Sequence, residues 1–404
     1  MQQKTALISG AGIAGPATAY WLNAAGWATT IVECAAEPRR GGYVIDFWGL
    51  GYDLAERMGL LGEIDRAGYH IRELRVLGDR GERLAGFGTS VFDELTGGRY
   101  VTIARSDLSR LLLEAAAPST ELIFGDEIAA IDQDREGATV RLAGGAERRF
   151  DLVVGADGLH SRVRRLVFGP QERFEKSLGY AVAAFEAEGY RPHDPDVYMM
   201  YCKPGLMLGR FALHRDRSLF LFVFAFDGDL PGTLDAQKAL LASLYRDGGW
   251  ETAAILRQMA AAEELYLDRV SQIRAPSWSS GRVVLTGDAA FCVSLLAGQG
   301  SALAIVAAYV LAGELACADG RIADGLAAYE RLLRPYIAIK QSGAARFAGA
   351  FAPRTRLGLW FRNLVVNALA VPGLSRLAVG REIIDRLDLP DYPLQPLVSP
   401  AISA

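Results

Sequence analysis

Residues 5–33 read TALISGAGIAGPATAYWLNAAGWATTIVE. Thr5 to Ser9 is a short apolar run of the kind that forms a buried strand, and it leads straight into Gly10, Gly12 and Gly15 in the spacing GxGxxG. Ala19 and Gly26 continue the pattern, Pro16 suits a first helical turn, and Trp27 to Val32 makes a second strand. Glu33 closes that strand 23 residues after Gly10. Each part has a physical task. The glycines allow the turn and close backbone approach, the helix N-terminus attracts phosphate charge, and the carboxylate accepts hydrogen bonds from sugar hydroxyls. A strand-to-helix turn that binds nothing is the bland alternative, but strand, helix, extended spacing and terminal acid agree on a dinucleotide site.

Composition sets the frame around this motif. The chain has 404 residues, 51% hydrophobic and 22% charged, and reads as two globular domains with an added tail. A net charge of -4 offers no basic face for nucleic acid. Cys34, Cys202, Cys292 and Cys317 lie far apart with no CxxC pair, so neither a zinc site nor a disulfide framework is indicated. The first residues lack the apolar core and cleavage site of a signal peptide, and a reduced, cytoplasmic setting is the expectation. Leu357 to Leu374 is apolar but is interrupted by Arg362, Asn363 and Pro372, so no integral membrane segment is expected there.

Two further stretches carry glycine beside an acid. Asp151 to Arg164, DLVVGADGLHSRVR, is a β-rich run followed by Asp157 and Gly158 in a turn. Leu285 to Ala304, LTGDAAFCVSLLAGQGSALA, places Asp288 after Gly287 and then opens an apolar run with Gly298 and Gly300. With the GxGxxG helix, these segments follow one another in the order and spacing of the flavin-dependent aromatic hydroxylases of the para-hydroxybenzoate hydroxylase type, which the chain resembles from residue 4 to about 310. The phrase GGYVIDFWGLGYDLAERMGLL at Gly41 to Leu61 looks like the branch that contains tetracycline-inactivating monooxygenases.

The resemblance implies an α/β fold: a Rossmann-like FAD-binding domain of the GR2 type, an inserted β-sheet substrate domain and a C-terminal helical extension. The implied division is 1–72, 100–172 and 274–340 for the discontinuous FAD domain, 73–99 and 173–273 for the substrate domain, and 341–404 for the extension. FAD would be held by Gly10, Gly12, Ile13, Ala14, Gly15, Glu33, Arg105, Asp157, Gly287, Asp288, Gly298, Gly300 and Ser301. The backbone of Gly298, Gln299 and Gly300 would lie against the isoalloxazine ring. A helix from about Ser301 to Leu315 would point its N-terminus at the edge of the flavin where negative charge collects on reduction. The sequence also departs from the family. Cys34 stands where arginine usually follows the ribose acid, with Arg39 or Arg40 as compensating cations or plain loop charges. Phe291 replaces a histidine, and Leu295 replaces the proline that shapes the loop near the flavin, which leaves that loop without the constraint on φ.

Between the motifs, Tyr198 to Leu213 reads as a hairpin turning at Lys203, Pro204 and Gly205. Arg217 to Asp227 alternates Phe220, Phe222, Phe224 and Phe226 with Leu219, Leu221, Val223 and Ala225, a strand apolar on both faces and therefore central in a covered sheet. Met200, Met207, Arg210, Phe222 and Phe224, with Leu295, are the candidates for the substrate wall, Arg210 being the one able to anchor a phenolate or enolate; plain core and a salt-bridged arginine are the competing readings. No Ser/His/Asp set, metal cluster or carboxylate pair stands out, so the cofactor would carry the chemistry. By resemblance, NADPH or NADH reduces FAD, oxygen adds at C4a to give a hydroperoxide, and one oxygen passes to an electron-rich carbon of an aromatic or polyketide-like small molecule. A flavin halogenase would carry a WxWxIP stretch, which is absent. A flavin reductase and a flavoprotein that sequesters its ligand without turnover share the scaffold, and either a monomer or a homodimer fits.

Overall fold

A computed structural model describes residues 3–38, 43–89, 91, 94, 96–190, 192–370 and 387–397. The strand Thr5–Ser9 pairs in parallel with Ala28–Glu33 on one side and Leu152–Gly155 on the other. Thr120–Phe124 and Val283–Leu285 extend the parallel set outward, and the short antiparallel Ser279–Ser280 completes six strands. Leu7, Ile8, Val153, Val154, Val283 and Val284 are all buried, because helices cover both faces of such a sheet and leave no solvent side. The crossover from the first strand is helix α1, Ala14–Ala24.

Helix α2, Gly300–Cys317, packs against α1. It is apolar all round, and it is the helix long and apolar enough to cross a membrane among the described residues. Its side chains from Leu303 to Leu311 are buried inside the molecule, which accounts for the composition without a bilayer. Helix α3, Ile322–Phe351, follows α2 and carries Pro335 within it. Helix α4, Arg356–Leu369, begins at Thr355, whose hydroxyl accepts from the Gly358 amide.

The other large element is a seven-stranded sheet in the order Tyr266–Ile273, Glu175–Glu188, Arg217–Ala225, Leu206–Leu213, Val197–Lys203, Glu73–Leu77, Arg83–Gly88. The phenylalanine-rich strand lies inside it, as its two apolar faces require. On the outer face, Phe220, Phe222 and Phe224 pack with Leu241, Tyr245, Ile255 and Met259 of the helices Leu234–Leu244 and Thr252–Ala261. On the inner face, Val182, Met200, Met207 and Val223 meet Leu295, Leu296, Ala352 and Val366. This inner face joins the seven-stranded sheet to the glycine-rich turn before α2. Past α4, residues 387–397 return across the first sheet's helices, where the Tyr392 hydroxyl donates to Glu314 (2.6 Å) and Tyr309 donates to the Pro390 carbonyl (3.1 Å).

Candidate functional site

At Gly15 the local sequence is dictated by contact. A Cβ there would stand 1.8 Å from the carbonyl oxygen of Gly10, so only glycine lets α1 start this close to the first strand. No side chain caps the start of α1, where Ile13 and Ala14 enter the helix, and no acid lies in its first turn. Its leading amides are therefore available to an anion, with the positive end of the helix dipole behind them. A Cβ at Gly12 would meet only the Arg105 guanidinium, at 3.8 Å, so the turn is open on that side. Glu33 sits beside the same turn and accepts from the Ala11 amide (2.8 Å) and the Ala35 amide (3.0 Å), which holds the loop in shape.

The second motif works inward. Asp157 accepts from the Ser161 hydroxyl (2.5 Å) and the Val163 amide (3.0 Å), so its carboxylate organises the turn before helix Arg162–Val167. Burial pushes its carboxyl up, opposed by these hydrogen bonds. Arg164, 0% exposed, donates to the Ala289 carbonyl (2.8 Å) and the Leu159 carbonyl (2.6 Å). That guanidinium ties the second motif to the third across 125 residues of chain.

In the third motif, Gly287 packs on Ala14, and Asp288 begins the short helix Asp288–Phe291. The Asp288 carboxyl is pushed up by burial and pulled down by the Arg105 charge. Arg105 in turn stacks over the Tyr43 ring at 5.9 Å. One cation thus bridges the GxGxxG turn and the acid of the third motif. The turn Leu295–Ala297 forms without proline: the Ser294 hydroxyl accepts from the Leu296 amide, and the Gly298 amide donates to the Leu295 carbonyl. Gly298 then takes a left-handed φ of +67°, and α2 starts at Gly300 with no side-chain cap and no acid in its first turn. Gln299 and Ser301 flank that start. Phe291, in place of histidine, is buried with its ring tilted against Trp278 at 4.7 Å and belongs to the core.

Three expectations about the substrate wall are corrected. Phe222 and Phe224 lie on the outer face of the seven-stranded sheet, packed on helices, because strand alternation sends every second side chain away from the inner face that holds Met200, Met207 and Leu295. Arg210 shares that outer face. It donates to Glu251 (2.6 Å) and lies over Trp250, so its charge is already matched. Met200, Met207 and Leu295 do share one cluster on the inner face. Arg40 lies outside the described residues.

Sequence reading missed several residues. Asp46, in the strand Val44–Trp48, accepts from Thr102 (2.6 Å), has its carboxyl pushed up by burial, and lines a small cleft with Trp48, Gly298 and Gln299. Its signal was an acid in the middle of the apolar strand VIDFW. Gln272 and Gln341 form a buried amide lock: Gln272 donates to the Val293 carbonyl (2.8 Å) and the Gln341 carbonyl (2.7 Å), and Gln341 donates to the Cys292 carbonyl (3.1 Å). No periodicity marks such residues in advance.

The geometry fits FAD: two uncapped helix starts, a glycine cradle that a Cβ would fill, an acid at the end of the second strand, and a cation between the motifs. A family profile described as FAD binding domain matches residues 3–338. The chain belongs to that family. Relatives at the sequence level include an uncharacterized protein of Mycobacterium tuberculosis, 38% identical over 81% of this chain and 88% of its own length. A flavin-dependent monooxygenase of Legionella longbeachae is 33% identical over 96% of this chain and 97% of its own. Among solved structures, the tetracycline destructase Tet(51) superposes with a TM-score of 0.80 at 28% identity, covering 97% of this chain and 100% of that one. Membership in the FAD-binding-domain family gives the protein its cofactor, FAD, and its class, a flavin-dependent monooxygenase.

Proposed function

We propose that this monooxygenase hydroxylates an aromatic, phenolic or polyketide-like small molecule, drawing electrons from NADPH or NADH and oxygen from O2. The observation that carries the reading is the uncapped start of α2 at Gly300, preceded by a turn whose Leu295 and Leu296 pack with Met200 and Met207 of the inner sheet face. Bound FAD supplies the redox chemistry and the activation of oxygen. The chain supplies position. Gly10, Gly12, Gly15 and the first amides of α1 would hold the pyrophosphate, Glu33 the ribose, and Arg105 with Asp288 the span between the motifs. The amides at Gly300 and Ser301 would face the ring edge that gains negative charge, where a helix N-terminus costs no reorganisation. The methionines and Leu295 would keep water from the reacting face.

The proposal includes the division into an FAD-binding part (1–72, 100–172, 274–340), a substrate part (73–99, 173–273) and an extension (341–404), and a cytoplasmic setting. A tetracycline-type substrate is supported by the likeness to Tet(51) over nearly the whole chain. The test is direct. Holoprotein mixed with NADPH and a panel of phenols and tetracycline should consume NADPH and give a product heavier by one oxygen atom. Binding of panel members without product would overturn the monooxygenation proposal in favour of sequestration.

A further inference from the structure

Helix α4 is assembled against its own composition. Leu357, Trp360 and Phe361 are 73%, 62% and 60% exposed, whereas Arg362 is 9% exposed. The hydrophobic effect alone would turn the helix the other way, and long cationic side chains are rarely buried unless paired. The pose is fixed at both ends: Thr355 caps the start, and near the end the Asn367 side chain accepts from the Gly86 amide (3.2 Å) and donates to the Leu84 carbonyl (3.4 Å) of the edge strand.

Inside, the Arg362 Nε donates to Asn363 (3.0 Å), its Nη2 has no hydrogen-bond partner, and among the described residues no carboxylate pairs with it. Its neighbour is Cys202, whose thiol is pushed up by burial against the pull of Arg362 and so stays neutral. A guanidinium withdrawn from water with neither counter-charge nor full hydrogen bonding is costly. Cys202 places it. The strand Val197–Lys203 turns Tyr198, Met200 and Cys202 to the inner face of the sheet, and that cluster also holds Leu295, Leu296 and Val366. Arg362 therefore stands on the flavin side of the sheet, the side from which Arg210 is absent.

We propose that Arg362 is a substrate-recognition residue, whose unpaired guanidinium edge receives an ionised oxygen of the substrate: a carboxylate, enolate or phenolate on an aromatic molecule lying between the inner sheet face and the Gly298 turn. This rests on the monooxygenase reading of that space. A planar fork of donors suits such oxygens, and the contact would supply the missing counter-charge.

The test uses holoprotein and matched probes: salicylate and 1-hydroxy-2-naphthoate against their primary amides, with binding read by calorimetry and by perturbation of the flavin spectrum. The acids should bind the native protein about tenfold to a hundredfold tighter than the amides, the range for a hydrogen bond to a charged group. Arg362→Met should lose that preference, keep amide binding, and melt at or above the native temperature, since an unmatched buried charge has been removed. Arg362→Lys should keep part of the preference. Equal binding of acids and amides to the native protein, including no binding of either, overturns the proposal, and so does an acid preference that survives Arg362→Met. Should Arg362→Met not fold, the native comparison and Arg362→Lys decide. Acid preference with no oxygen transfer to any substrate would sink the monooxygenase reading and leave this one standing.

Discussion

Asp288 shows how one buried acid couples protonation to stability. Enclosure pushes its carboxyl up and Arg105 only partly offsets this, so its folded pKa lies above its unfolded one. The fold then holds the proton longer than the unfolded chain does. This group's contribution is most favourable at acid pH and declines as pH rises from the unfolded value through the raised folded one. Asp288→Asn should flatten that part of the pH-stability curve and leave flavin-free protein at least as stable at neutral pH. It should also weaken FAD by about tenfold, the scale of a charged hydrogen bond. Melting temperatures across a pH series and a flavin titration check both halves. The position of this acid was legible from its motif; its partner, Arg105, took a family resemblance to find; Asp46 was marked only as an acid inside an apolar strand, and Gln341 was invisible because its role comes from contacts distant in the chain.

At the scale of elements, the seven-stranded sheet separates packing from recognition by strand alternation. Phe222 is buried among Leu208, Tyr245 and their neighbours behind the sheet, with Tyr245 edge-on to it at 4.9 Å. Phe222→Leu should lower unfolding free energy by about 1–3 kcal/mol through lost volume and contacts while leaving ligand affinity at the flavin unchanged. Urea unfolding and a ligand titration of the same variant give the two numbers. A matching loss of ligand affinity would return Phe222 to the substrate wall. The alternation itself was readable, and so was the central place of the strand. Which of two equally apolar faces looks toward the flavin was not, since both patterns are identical until helices Leu234–Leu244 and Thr252–Ala261 cover one of them.

For the whole molecule, the three motifs meet in space although they lie far apart in the chain: Gly10 abuts Ala156, and Gly287 packs on Ala14. Arg164 links the second motif to the third, the glutamine lock links the third to α3, and the Leu295 turn touches the seven-stranded sheet. Removing FAD should therefore loosen the assembly as a unit: restoring it at a hundred times its dissociation constant should add about 2.7 kcal/mol, read as one cooperative rise in melting temperature. A flavin-independent melting curve would contradict that coupling. The sequence by itself determined the dinucleotide fold, its cofactor end and the order of motifs, because glycine spacing and strand periodicity are local backbone requirements that survive without context. Only the tertiary structure decided that Arg210 is neutralised by Glu251, that Asp157 accepts from its own turn, and that Arg362 is drawn inside while Leu357, Trp360 and Phe361 of the same helix stay exposed. Charge matching depends on which groups meet in space, and no spacing along the chain records that.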